Sequence, residues 1–391
     1  MTIDLVRIKF AAVAAKIETT AGTDVFGGTP SATDWIGSDT DIDFDAQTVE
    51  LNEYTGSLDK AASVPGGLRP RIKLRMPLRG SGTAATAPEF GKLLRCCTMA
   101  ETYTSSAVGV PTAAVSGTTT TVTGAVAFTA TAQLYRGMPL LVTGDQLTTL
   151  GIVDYSAARV FTHGETRTAM TTSSLLQIPV NYRYAPSSDE SVYKTCTLYI
   201  YIDGWLQIFT GCSGTWSIEL TTGGIGFITF DLRGQYVTPS ATAFPSGPPT
   251  AAATRTAVVP PRFVGGKLQL DKTAAQANTF SIMAGVEVLL PDDPESAEGF
   301  GSALPVSRAA SGSLNPYVDT TKNLAAMNAF RNGTNVNLVA QLGSTAGNRF
   351  VIVAPAARTV GLKQGDRGGI MANDIQFQCD GADASVFLAA F

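Results

Sequence analysis

The chain has 391 residues, 44% of them apolar and only 15% charged, with a formal net charge of −4 and a pI near 5.2. Such a length accommodates two or three domains with filled cores, and the acidic balance argues against wrapping nucleic acid by phosphate neutralisation. Five cysteines form an odd set without metal-site spacing, so reduced, mostly buried thiols are expected, as in a protein assembled in a cytoplasm. The apolar patch Phe10 to Ala15 is too short for a signal peptide, and no run approaches the ~18 apolar residues of a membrane helix. A soluble protein without an export signal is therefore expected.

Arg7 to Ile17 fits a strand or a short helix, and Thr19 to Pro30 reads as an arm or loop. Asp39, Asp41, Asp43 and Asp45 alternate with Ile42 and Phe44, and Arg69, Arg71, Lys73 and Arg75 alternate with Ile72, Leu74 and Met76. Both segments predict half-buried strands, and if they pair their charges form a cross-strand ladder. A strand over Thr48–Tyr54 and a polar loop from Gly56 to Gly67 are expected between them. Pro88 then opens a helix with Phe90, Leu93, Leu94 and Cys97 on one stripe. Residues 105–190 are rich in Thr, Ala and Val without a helical period, which predicts an inserted small β-domain decorating an outer surface.

Asp203-Gly204 between two β-rich runs is a two-residue hairpin signal, and Gly223-Gly224 marks a second turn before Phe227–Leu232. Six prolines between 238 and 261 predict an extended linker. Beyond it, a strand from Thr279 to Leu290, a loop to Ala303 and a return strand Leu304–Ala310 precede a helix over Thr320–Asn332. In that helix Leu324, Met327 and Phe330 are expected to face inward, with Gly333 as the stop. Strand, long polar loop, strand, helix and hairpin strands thus occur twice in the same order. The expected architecture is mainly β: two tandem β-sandwich or barrel modules, each with one flanking α-helix, plus the inserted domain. The first module takes residues 1–104 and 191–240, the insertion 105–190, the linker 241–261 and the second module 262–391. A repeated β-module points to a ring-forming building block.

Signals for chemistry are weak. His163 is the only histidine, lies in a Thr-rich stretch without a nucleophile elbow, and is expected at the surface or as a hydrogen-bonded structural residue. Gly223-Gly224-Ile225-Gly226 lacks the second half of a nucleotide signature. The carboxylates from Asp39 to Glu50 have Phe44 where a calcium loop needs glycine. No catalytic, cofactor-binding or metal-binding residue is assigned, although a carboxylate-pair glycosidase stays open.

Several segments carry a resemblance: Pro88–Cys97; Tyr201–Gly204 with Gly211–Trp216; Gly312–Pro316; Gly347–Ala356; Gly365–Gly369; and the terminal Phe387–Phe391. In that order they resemble the major tail tube protein of bacteriophages with long non-contractile tails, over most of residues 15–104 and 191–391. The resemblance implies a β-sandwich or open barrel with one helix, forming stacked rings whose inner strands join into a barrel around a channel. Fused duplicates in the family make trimeric rings with pseudo-sixfold symmetry. The implied partners are the chain itself, the tape-measure protein, the tail terminator and distal tail proteins, with double-stranded DNA passing through unread. The implied location is the virion tail, assembled in the host cytoplasm.

A DNA conduit should lack a strong cationic track, because phosphates would bind and stall. Glu50, Glu53, Glu219, Asp231 and Glu287 are the candidate acids for lining the channel; the alternative is that they face solvent or pair with Arg and Lys. Asp59, Lys60, Asp292, Asp293 and Glu295 are candidate ring-stacking residues in the two long loops. Competing readings are a tail-completion or secretion-tube protein sharing the fold, and a carbohydrate-binding adhesin that uses the insertion. Trp35, Trp205 and Trp216 are few and dispersed for sugar platforms.

Overall fold

The computed structural model describes residues 6–391 except 52, 55, 57, 60, 61, 249–251 and 253–256. It is mainly β, with short helices. The first half runs β1 (Ala11–Ile17), β2 (Asp39–Val49), β3 (Val64–Pro77), α1 (Gly91–Arg95) and β4 (Met99–Thr104). After an insertion it continues with β5 (Asn181–Pro186), β6 (Cys196–Ile202), β7 (Trp205–Thr221) and β8 (Phe227–Ala241). The second half runs β9 (Lys267–Leu270), β10 (Ala277–Met283), β11 (Val286–Leu289), β12 (Leu304–Arg308) and β13 (Ser311–Pro316). It ends with α2 (Thr320–Asn332), β14 (Asn335–Leu342), β15 (Phe350–Arg367), β16 (Ile370–Cys379) and β17 (Phe387–Ala390).

Pairing repeats between the halves. The first half is ordered β2-β3-β8-β7 and the second β10-β13-β16-β15, every pair antiparallel. The halves join where β7 pairs β10, from Ser217↔Met283 to Thr221↔Thr279. The other layer repeats as well: β6 lies on the start of β7, and β14 on the start of β15. Both pairings carry an irregularity at the same place, between Leu198↔Phe209 and Cys196↔Cys212 in one half and between Leu338↔Ala354 and Val336↔Ala357 in the other. Trp205 and Phe350, each the first residue of its long strand, therefore occupy equivalent positions.

The alternating segments behave as their period demands. Ile72, Leu74 and Met76 are buried while Arg71, Lys73 and Arg75 lie on the open face. The Asp203-Gly204 turn has both residues at positive φ, 44° and 91°, the geometry a right-twisted two-residue hairpin requires. Asp203 also accepts from the Arg7 backbone and guanidinium, which pulls its pKa down to about 2.

Three expectations need correction, the third at His163 in the insertion. β2 ends at Val49, so Glu50 and Glu53 lie beyond the strand in the hairpin tip; pairing with the basic strand fixes where the ladder stops. α2 has the expected bounds, and Gly333 (φ 62°) closes it, but its apolar stripe faces outward. Leu324, Met327 and Phe330 are exposed, while the small Ala326 and Ala329 turn toward the sheet. α1 is the opposite case, with Phe90, Leu93, Leu94, Cys96 and Cys97 all buried.

The insertion forms a separate seven-stranded sheet between Val108 and Ile178, with its own core around Phe128, Tyr155 and Phe161. β5 belongs to the main sheet and pairs both β4 and β17. The inserted sheet also packs on the second half. Val153 joins Val339, Val351 and Val353, and Lys267 Nζ reaches Glu165 at 2.7 Å. His163 is fully buried there rather than at the surface, and burial drives its pKa down to about 4.

One buried carboxylate ties the first half together. Glu18 accepts from the backbone N–H groups of Gly22 and Gly211 and from the hydroxyls of Thr195 and Thr197. Glu18→Ala strands four donors, so chemical denaturation should show a loss of about 3 kcal/mol; a loss under about 1 kcal/mol would show that water replaces the carboxylate. His163 titrates near 6.5 when unfolded and about 4 when folded. Its contribution is therefore complete above pH 6.5 and is lost as pH falls toward 4. Melting temperatures from pH 7 to 5 should drop more steeply for the parent than for His163→Leu; parallel slopes would refute this assignment.

Candidate assembly interface

The eight-stranded run β2-β3-β8-β7-β10-β13-β16-β15 has one face on the core and one open. The open face presents Asp39, Asp41, Asp43 and Asp45 from β2, and Arg69, Arg71, Lys73 and Arg75 from β3. The register sets them directly opposite: Asp39↔Arg75, Asp41↔Lys73, Asp43↔Arg71 and Asp45↔Arg69. This is the cross-strand ladder that the alternation predicts.

The cations also engage groups on their other side. Arg71 holds Asp231 of β8, which raises the guanidinium pKa, with smaller contributions from Asp43 and Asp41. Arg75 lies over the Phe227 ring at 3.9 Å and Arg69 over Phe300 at 4.3 Å. Among the described residues, none of the four aspartates of β2 forms an ion pair within 4 Å.

Both ends of the run lack a partner strand among the described residues. β2 pairs β3 on one side only, and β15 pairs β14 along its first part but nothing beyond β16 along Thr359–Arg367. On that free edge Lys363 and Arg367 share the open face, opposite Asp374 and Ile370 of β16. Arg367 donates to the Asn315 carbonyl and covers the Tyr317 ring. Long strands with unpaired edges pair with other chains unless blocked.

Of the candidate channel acids, Glu219 and Asp231 lie on this open face. Glu287 lies on β11, where it accepts from Ser307 Oγ at 2.9 Å. Glu50 and Glu53 lie in the hairpin tip and do not join the others. The face as a whole carries both signs, with the basic row of β3 beside the acids. Asp292, Asp293 and Glu295 lie in the second hairpin tip, which folds onto the first half of the same chain. There Phe300 is buried, Glu298 accepts from Leu68 N at 2.9 Å, and Gln235 donates to the Phe300 carbonyl. Asp59 lies in the first tip, and Lys60 falls outside the described residues. Sequence reasoning missed the free edge of β15; its Lys-x-x-x-Arg spacing, read against the Asp row, was the available signal.

Among the described residues no group of three His, Cys, Asp or Glu side chains is placed to hold a metal ion. The five thiols are free and buried, and burial pushes those of Cys97, Cys212 and Cys379 up. No helix among the described residues is long and apolar enough to cross a membrane.

Asp43→Lys would set like charges opposite Arg71. It should lower stability by about 1 kcal/mol, measured in urea, while Asp43→Asn changes it by less than about 0.5 kcal/mol. Equal effects would mean that the ladder is not electrostatic.

The family model described as phage tail tube protein matches residues 11–379. The chain belongs to that family. No curated protein matches it.

Proposed function

We propose that this structural component of the phage tail closes into rings by repeating, between copies, the junction that joins its own two halves. The carrying observation is the strand order: β7 of the first half pairs β10 of the second half, and β15 is the equivalent of β7 with the edge of Thr359–Arg367 unpaired among the described residues. Moving the β7–β10 register by that equivalence, and counting the extra residue of the β15 irregularity between Thr359 and Gly361, sets Lys363 opposite Asp43 and Arg367 opposite Asp39 of the next copy. The aspartates, which form no ion pair among the described residues of their own chain, gain cations, and this favours the head-to-tail register over its alternatives.

Three copies, as in the duplicated members of the family, supply roughly twenty-four strands. At ~4.8 Å spacing their circumference is on the order of 115 Å, roughly 37 Å across between backbones before tilt widens it. The open face then lines the channel, with Glu219 and Asp231 among its acids. Its basic row is neutralised by neighbouring aspartates rather than left to hold phosphate. On this reading the rings stack into the tube of a long non-contractile tail, first around the tape-measure protein and between terminator and distal tail proteins. Double-stranded DNA later passes through into the host. The inserted sheet, between Val108 and Ile178, sits on the outside. Five buried reduced thiols suit assembly in the host cytoplasm.

A charge swap tests the register. Lys363→Glu places two acids together and should abolish rings and tubes in electron micrographs while the monomer, about 1 kcal/mol less stable with Glu opposite Asp374, stays folded. Adding Asp43→Lys to the same chain should restore them. Tubes from the single variant, or no rescue by the pair, would overturn the register.

A further inference from the structure

The two halves differ at one place that their common order makes comparable. In the second half the mouth of the sandwich is closed: Phe350, Ile352, Leu342 and Ile282 are at most 1% exposed. They belong to the same buried cluster as Leu78, Phe90, Leu93 and Leu94, and the Phe90 ring lies 5.9 Å from that of Phe350. The backbone is tied at the same point, with Gly80 N donating to Asn348 Oδ1 at 2.8 Å and Gly82 N to the Gly347 carbonyl at 3.1 Å. The helical segment of the first half thus plugs the second.

Among the described residues the equivalent mouth of the first half is open. Trp205 stands where Phe350 stands and is 40% exposed. Gln207, paired with Ile200 as Ile352 is with Ala340, is half-buried. Ile42 and Ile202 are also only partly buried. Gln207, Ile42 and Ile202 border a groove of about 980 Å³, with Phe244 packed on Phe10 among its walls, and Trp205 flanks it as the strand partner of Ile202. Gln207 Oε1 is shielded from solvent without a hydrogen-bond partner. The helix whose place in the fold matches α1 is α2, and it turns Leu324, Met327 and Phe330 away from its own sheet.

We propose that α2 of one copy plugs the open mouth of the first half in the next copy, its Leu324–Met327–Phe330 stripe covering Trp205, Gln207 and Ile42. This rests on the head-to-tail ring, and the occupant follows from it. A first half precedes a second through β7–β10 and plugs it with its helix. A second half that precedes a first through β15–β2 brings its helix to the same position. The outward stripe and the half-empty groove are then one contact seen from its two sides, and burying the stripe supplies apolar area that the charged strand edges lack.

The test uses the full chain. Met327→Cys with Gln207→Cys, assembled and treated with a short bismaleimide, should yield covalent dimers and trimers on a denaturing gel, and neither single variant should. Leu324→Asp with Phe330→Asp should leave the monomer's melting temperature unchanged, since both side chains are exposed. It should also abolish rings and the blue shift of Trp205 emission on assembly; Trp35 and Trp216 are buried already. Parent tubes combined with an uncross-linked double-cysteine variant, or rings from the double aspartate, would overturn the helix contact and leave the ring reading standing. A parent chain that never forms rings would overturn both.

Discussion

Main-chain hydrogen bonding across the β7–β10 junction is the constraint on which the rest depends. It turns two sandwiches into one continuous antiparallel run of eight strands, and so fixes the angle, register and facing of the second half relative to the first. Among the described residues neither end of that run finds a partner strand. A sheet that neither closes on itself nor covers its edges leaves backbone donors and acceptors for another copy. The same junction places the helical segment of the first half in the mouth of the second, so edge pairing and apolar burial act together.

On the proposed reading, in which the open face lines the channel, the tube carries many cations without holding DNA. Arg69, Arg71 and Arg75 are each occupied by a ring or a carboxylate, and each also faces an aspartate of β2. Paired charges present little net field to a passing phosphate chain beyond a few ångströms, and salt shortens that range further. Neutrality by pairing, rather than an excess of acid, is the electrostatic design this arrangement supports.

The paired strands were legible because a period of two encodes both the buried face and the charge row; Asp39–Asp45 and Arg69–Arg75 needed only their alternation. The Asp203-Gly204 hairpin was legible because its turn demands those residues. The fate of Leu324, Met327 and Phe330 was not. A helical stripe reports that a face will be covered and leaves open whether the cover belongs to the same chain. The positions of Glu50 and Glu53 were missed because strand ends depend on the partner's length, which composition does not carry. Nor could the docking of the insertion be read, since Val153 meets Val339 and Val351 only through contacts between residues nearly 200 positions apart in the sequence. Burial of His163 escaped for the same reason.

The most direct measurement is a cryo-electron microscopy reconstruction of tubes assembled from the purified chain, at a resolution that separates strands. The account predicts three chains per ring and an unbroken antiparallel barrel, with β15 hydrogen-bonded to β2 of the next copy and Lys363 beside Asp43. A ring of six chains, or a β15 edge left in solvent while copies meet elsewhere, would contradict it.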